Sequence, residues 1–126
     1  MCSMHTNFYD LEIWKKGYSL LMNIYSITEK FPDVEKYALT SQLCRSANSI
    51  IANIAESHGR HAYADKIRVL YIARGEIAET RSHLAVAYGR KYISKEFFIE
   101  QNTAYEILTK QMNAFIKNLS KQKTNR

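Results

Sequence analysis

The chain has 126 residues, enough for one domain that buries its own core without disulfide staples, and its 18 Lys and Arg outnumber 12 Asp and Glu, for a formal +6 at pH 7. Four Gly and a single Pro exclude an all-β chain of many tight turns, and two Cys exclude a disulfide framework. No apolar run approaches the ~20 residues that span a bilayer, and the basic balance permits a phosphate-rich partner without demonstrating one.

Residues 1–7, MCSMHTN, are polar and aperiodic and are expected to fray. They lack the cationic run and apolar stretch of a signal peptide, so a reduced, cytoplasmic protein with no membrane association is expected. Cys2 and His5 have a metal-compatible spacing, but two ligands on a terminus do not make a site.

The spacing predicts a first helix over 10–29, capped by Asp10, with a core stripe of Leu11, Trp14, Tyr18, Leu21, Tyr25 and Thr28. Ile13, Leu20, Ile24 and Ile27 lie off that stripe, so the helix carries more apolar surface than one neighbour needs. Its aromatics are expected in the core rather than as a platform for bases. Phe31-Pro32 ends the helix, because the residue before a proline disfavours the α region, and 33–39 reads as a connection with room for one helical turn.

A second helix is predicted over about 41–58, with N-cap oxygens from Thr40 and Ser41 and a left-handed C-terminal cap at Gly59. Leu43, Ala47, Ile50 and Ile54 form one apolar stripe, and Cys44, Ile51 and Ala55 form a second beside it. The polar groups are left in one seam of Ser46, Ser49, Asn53, Glu56 and Arg60. Small hydroxyls and an amide replace the Lys and Glu of a water-facing helix, so this helix is expected to pack on more than one side, with Ser46, Ser49, Asn53 and Glu56 as an oligomer seam.

His58 and His61 flank Gly59 at HxxH spacing and are read as surface or capping histidines, because zinc wants three or four ligands. A third helix is predicted over about 62–88, with Tyr63, Ile67, Leu70, Ile77, Leu84 and Tyr88 in the core and Ala73 and Ala78 filling gaps. Gly75 in its middle costs about 1 kcal/mol relative to alanine, which suggests close approach of another backbone. Arg74 and Arg81 lie on one line, with Lys66 and Arg68 just before them and Asp65, Glu76 and Glu79 interleaved. That pattern is either a solvated face of i to i+4 pairs or a basic stripe presented to phosphates, or else an arginine reaches Glu56 across the seam. His83 is expected to be satisfied or solvated.

Gly89 ends the third helix and Arg90-Lys91-Tyr92-Ile93 makes the next connection. Ser94 caps a fourth helix, with Glu96 near its positive end and a stripe of Phe98, Tyr105, Leu108, Met112, Phe115 and Leu119. Residues 121–126 are polar and basic and are expected to be loose. Four amphipathic segments on short connections predict an all-α, single-domain, antiparallel up-down four-helix bundle over residues 8–120, and surplus apolar surface on the first two helices predicts a homo-oligomer.

The segments YDLEIWKKGYSLLMNIYSITEKFP and EKYALTSQLCRSANSIIANIAES, followed by Ala73-Arg74-Gly75-Glu76-Ile77, resemble the small four-helix-bundle proteins first noticed as products of intervening sequences inside bacterial 23S rRNA genes. Accessory proteins of diversity-generating retroelements share that fold. The resemblance covers nearly the whole chain and is most specific over Ser41 to Glu56. It departs from the family pattern where Cys44, Ile51 and Ser57 replace an expected Arg, Pro and Gly. What the resemblance implies is a ring of five bundles around a central channel, linked to rRNA genes or reverse-transcriptase complexes.

An enzyme is not indicated: there is no Gly-rich phosphate loop, HExxH, nucleophile elbow or Glu-x-x-His pair of the di-iron bundles. Glu56 is read as a seam residue rather than a buried general base, and no cofactor or metal is expected. The remaining hypotheses are a basic oligomer that binds RNA or DNA and a protein scaffold or accessory subunit with no nucleic-acid contact. The candidates for phosphate contacts are Arg60, Lys66, Arg68, Arg74, Arg81, Arg90 and Lys91.

Overall fold

The computed structural model describes residues 7–124, so expectations for residues 1–6, including Cys2 and His5, lie outside the described residues. The described chain is four α-helices without a strand: α1 (Glu12–Thr28), α2 (Leu39–Gly59), α3 (Tyr63–Gly89) and α4 (Lys95–Thr124). Short 3₁₀ turns at Phe8–Asp10 and Asp33–Glu35 precede α1 and α2. All four helices bury side chains in one contiguous core, which makes a four-helix bundle and a single domain.

In α1 the buried side is Ile13, Gly17, Leu20, Leu21, Ile24 and Thr28. Of the expected stripe Leu21 and Thr28 are thus buried, as is Leu11 just before the helix, and the core side is rotated toward Ile13, Leu20 and Ile24. Tyr18 and Tyr25 are 45% and 43% exposed. The cause is Gly17: a Cβ there would lie 2.6 Å from Ile51 Cγ2, so α2 closes on α1 along the glycine side and the aromatic side turns outward. Trp14 stacks on Tyr18 at 5.2 Å and Phe8 meets Trp14 edge-on at 5.3 Å. Asp10 closes the preceding 3₁₀ turn rather than capping α1, whose N-cap position is Leu11.

In α2 the expected caps are also displaced. Thr40 and Ser41 fall inside the first turn, and the backbone N–H of Leu39 donates instead to Glu35 Oε1 at 3.2 Å. Gly59 is the last helical residue, and no described glycine has a positive φ. The orphan carbonyls at that end are met by Lys66, whose ammonium donates to His58 O at 2.9 Å and Ser57 O at 3.4 Å. Leu43, Ala47, Ile50, Ile51 and Ile54 are buried, so both expected apolar stripes of α2 are largely used within the chain.

Along α3, Val69, Leu70, Ala73, Ile77, Thr80, Leu84 and Ala87 are buried, while Ala78 and Tyr88 are exposed. Gly75 is open: no neighbouring atom lies within 4 Å of a Cβ there, so the expected close approach is not made within the chain. At the end of α3, Lys91 adopts φ 66°, its N–H donates to Tyr88 O and that of Tyr92 to Ala87 O, both at 2.9 Å. That is a Schellman cap with lysine at the position glycine usually fills. Ser94 Oγ accepts from Phe97 N at 3.0 Å and caps α4 as expected. The buried side of α4 is Gln101, Tyr105, Leu108, Met112, Ile116 and Leu119, with Phe98 and Phe115 half-buried beside it. The helix continues to Thr124, so the expected loose tail is helical that far.

Candidate nucleic-acid interface

The seven-residue spacing of Arg74 and Arg81 sets both on the side of α3 that meets α4. There they line an open groove of ≈ 460 Å³ together with Tyr71, Gly75, Ala78, Thr109 and Asn113. Arg74 Nη1 donates to Asn113 Oδ1 at 2.8 Å, and its guanidinium carbon lies 4.7 Å from the centre of the Tyr71 ring. Both partners are neutral, so the charge of Arg74 is held in place without being cancelled. Arg81 is more tightly engaged, donating from Nε to Asn102 Oδ1 at 2.7 Å and from Nη2 to Glu106 Oε2 at 3.2 Å.

Beyond Glu106 the fourth helix carries no carboxylate: residues 107–124 hold Lys110, Lys117, Lys121 and Lys123. Lys110 and Lys117 are exposed, three residues before and four after Asn113, and so share its face of α4. They extend the cationic face started by Arg74. Sequence reasoning missed them, although the loss of acidic residues after Glu106 was a visible signal.

The other candidates do not join one patch. Arg60 pairs with Glu56 one turn back on α2, and Arg68 lies 4.0 Å from Asp65. Lys66 is committed to capping α2, and burial lowers its ammonium pKa. Arg90 sits over the Tyr92 ring at 5.8 Å and donates to Tyr92 Oη at 3.5 Å, while Lys91 holds the cap of α3. These last two lie in the α3–α4 turn, at the far end of α3 from Arg68.

The polar seam of α2 is divided. Ser46 is fully buried inside the chain, where its hydroxyl donates to Leu43 O at 3.2 Å and accepts from Thr80 Oγ1 at 2.8 Å. Ser49 and Asn53 are half-buried, with Asn53 Nδ2 donating to Ser49 O at 2.8 Å. Glu56 is exposed and paired with Arg60, the residue that follows the end of its own helix, which removes both the buried base and the cross-seam arginine considered from sequence.

A cross-helix arginine does exist, but it is Arg45. It pairs with Glu79 and approaches Glu76 Oε1 at 3.6 Å, and Glu79 Oε2 also meets His83 Nε2 at 3.1 Å. Burial pushes the Glu76 carboxyl up, and the Glu79 charge pushes it further. The hydrogen bond with His83 holds Glu79 down. Arg45 was not singled out because only the folded pairing of α2 with α3 brings it to residues 31 and 34 positions away.

A model of the family described as 23S rRNA-intervening sequence protein matches residues 9–114. The chain belongs to the 23S rRNA-intervening sequence protein family. It is similar to a solved structure from Bacteroides thetaiotaomicron VPI-5482, described as a protein with unknown function from the S23 ribosomal protein family. The two share 27% identity with a TM-score of 0.77, over 83% of this chain and 95% of the other. None of the curated proteins matches. The three positions where this family member departs from the expected pattern all make contacts inside the bundle. Cys44 Sγ lies 3.5 Å from Thr28 Oγ1, Ile51 faces Gly17, and Ser57 Oγ donates to Lys66 O at 2.9 Å. No helix among the described residues is long and apolar enough to cross a membrane, and no three His, Cys, Asp or Glu side chains there converge as a metal site.

Proposed function

We propose that this family member is a non-enzymatic, cytoplasmic homo-oligomer that binds nucleic acid, RNA first, through the α3–α4 face. The observation that carries the reading is the charge imbalance of that face. Arg74 is oriented by neutral partners, and α4 supplies Lys110 and Lys117 with no carboxylate after Glu106. Such a surface attracts phosphates without regard to sequence, and counterion release makes the attraction steeply salt-dependent. The link of the family to 23S rRNA genes, carried in its description, favours RNA.

The contact pairs support an antiparallel up-down order. Ser46 with Thr80 and Ser57 with Lys66 run in opposite senses along α2 and α3, as do Arg74 with Asn113 and Arg81 with Asn102 along α3 and α4. Self-association is supported by α1, whose Tyr18, Met22 and Tyr25 are exposed beside Phe8 and Tyr9. A ring of five, as the family resemblance implies, would display about +30 from chains of +6 each. Light scattering tests the ring, which requires a mass near five times the 14.7 kDa protomer.

A scaffold without nucleic acid is the second reading, favoured by the pairing of Arg45, Arg60, Arg68 and Arg81 with carboxylates. The double substitution Arg74→Gln/Arg81→Gln separates the two. Glutamine avoids setting a new carboxylate against Glu106. On the nucleic-acid reading the variant loses retention on immobilised RNA while keeping its oligomer mass; unchanged retention removes the α3–α4 face from the account.

A further inference from the structure

We propose that the groove between α3 and α4 receives an unpaired nucleobase, so that this face selects single-stranded over duplex nucleic acid. The proposal rests on the phosphate-binding reading of the same face and adds what the groove recognises. Phosphate binding alone needs only exposed cations, and it does not account for an indentation with an aromatic wall. Tyr71 forms that wall: the residue is 47% exposed, and its ring carries the Arg74 guanidinium 4.7 Å from its centre. The pair offers a stacking surface that accepts any base, with Arg74 adding a cation.

Gly75 and Ala78 are the smallest residues lining the groove, and nothing stands within 4 Å of a Gly75 Cβ. The mid-helix glycine therefore keeps space open for something outside the chain. The volume of ≈ 460 Å³ falls in the range of small-molecule sites, ample for one base with its sugar. Hydrogen-bonding groups stand on the α4 side. Asn113 uses Oδ1 for Arg74 and retains its amide donors, and Thr109 donates to Tyr105 O at 3.1 Å and retains its lone pairs. A base stacked inside a duplex cannot enter such a groove, whereas a splayed single-stranded one can.

The test uses the full chain with a labelled RNA of about 12 nucleotides, alone and annealed to its complement, with a DNA strand of the same sequence as a further arm. Two variants keep every charge: Tyr71→Ala removes the stacking wall, and Gly75→Leu fills the groove where no neighbour stands. Each is expected to weaken single-strand binding roughly 5- to 150-fold while leaving duplex affinity and the salt slope in place, and Tyr71→Phe is expected to bind as the parent does. Equal affinity of the parent for both forms, or equal losses on both forms in the variants, would overturn the base site and leave the phosphate face standing. Absence of binding to every form at low salt would overturn the phosphate face and the base site together.

Discussion

Ser46 of α2 and Thr80 of α3, both with no exposed surface, are joined by a hydrogen bond of 2.8 Å in the middle of the bundle. Ser46 donates to Leu43 O at 3.2 Å, and the single Thr80 proton is shared between Ser46 Oγ and Glu76 O, which also lies 2.8 Å away. A polar pair in an apolar core fixes where one helix sits along the other, because any slip breaks the bond between them and leaves the Ser46 oxygen without its cross-helix donor. Thr80→Val should therefore destabilise the fold by about 1 kcal/mol, read from the denaturation midpoint. Adding Ser46→Ala should recover part of that loss, since no buried acceptor is then stranded. Strictly additive losses would show that the two hydroxyls do not act as a pair.

Two glycines in helices should respond oppositely to alanine. At Gly17 the new Cβ would meet Ile51 Cγ2 at 2.6 Å, and overpacking of that kind costs about 1–3 kcal/mol. The helix-propensity gain of about 1 kcal/mol offsets only part of it. At Gly75 the space is open, so Gly75→Ala should stabilise by about 1 kcal/mol. Melting curves that move the same way for both would contradict the packing described for α1 against α2.

Helix existence and the family were legible in the sequence, and so were the Ser94 cap and the buried line Leu43, Ala47, Ile50 and Ile54. The rotation of α1 was not. Its Trp14, Tyr18 and Tyr25 side follows a regular apolar spacing yet leaves Trp14 half-buried and both tyrosines exposed, and the true core side is interrupted by Gly17, which pattern reading scores as a gap. The caps of α2 were equally hidden: Glu35 and Lys66 reach the helix ends from outside it, whereas local rules look for a Ser or Gly at the end itself. Of the interface, Arg74 and Arg81 could be placed on one line from spacing alone. Their assembly with Asn113, Lys110 and Lys117 depends on how α4 packs against α3, which no local pattern encodes.

Glu35 connects three parts of the fold. Its Oε1 accepts from Leu39 N at 3.2 Å and its Oε2 from the Tyr92 hydroxyl at 2.8 Å, so one side chain caps α2 and anchors the α3–α4 turn. Glu35→Ala should cost about 1–2 kcal/mol, in the upper range for a lost N-cap. Glu35→Gln retains an acceptor and should cost less. Equal stability of Glu35→Ala and the parent would remove this link.

The carboxylates beside Arg45 set opposing pH dependences. The Glu76 pKa is raised, chiefly by burial, so the stability it lends is full below about pH 4.5 and lost as pH rises through its folded value. The Glu79 pKa is lowered, chiefly by the hydrogen bond with His83, so its contribution is present above about pH 4.5 and lost as pH falls through its folded value. Glu76→Gln removes the first effect and keeps the second. It should raise the melting temperature at pH 7 and do little at pH 4, with a gain of about 1 kcal/mol or less. A larger gain at pH 4 than at pH 7 would reverse the assigned direction.

The most direct test of the central claim is the affinity of the purified protein for structured RNA and for duplex DNA across a salt titration, with oligomer mass followed in the same samples. Affinity that falls steeply with salt while the oligomer stays intact is the predicted result, with RNA held more tightly than DNA. No binding at low salt by an intact oligomer would contradict the account and leave a scaffold whose partner is another protein.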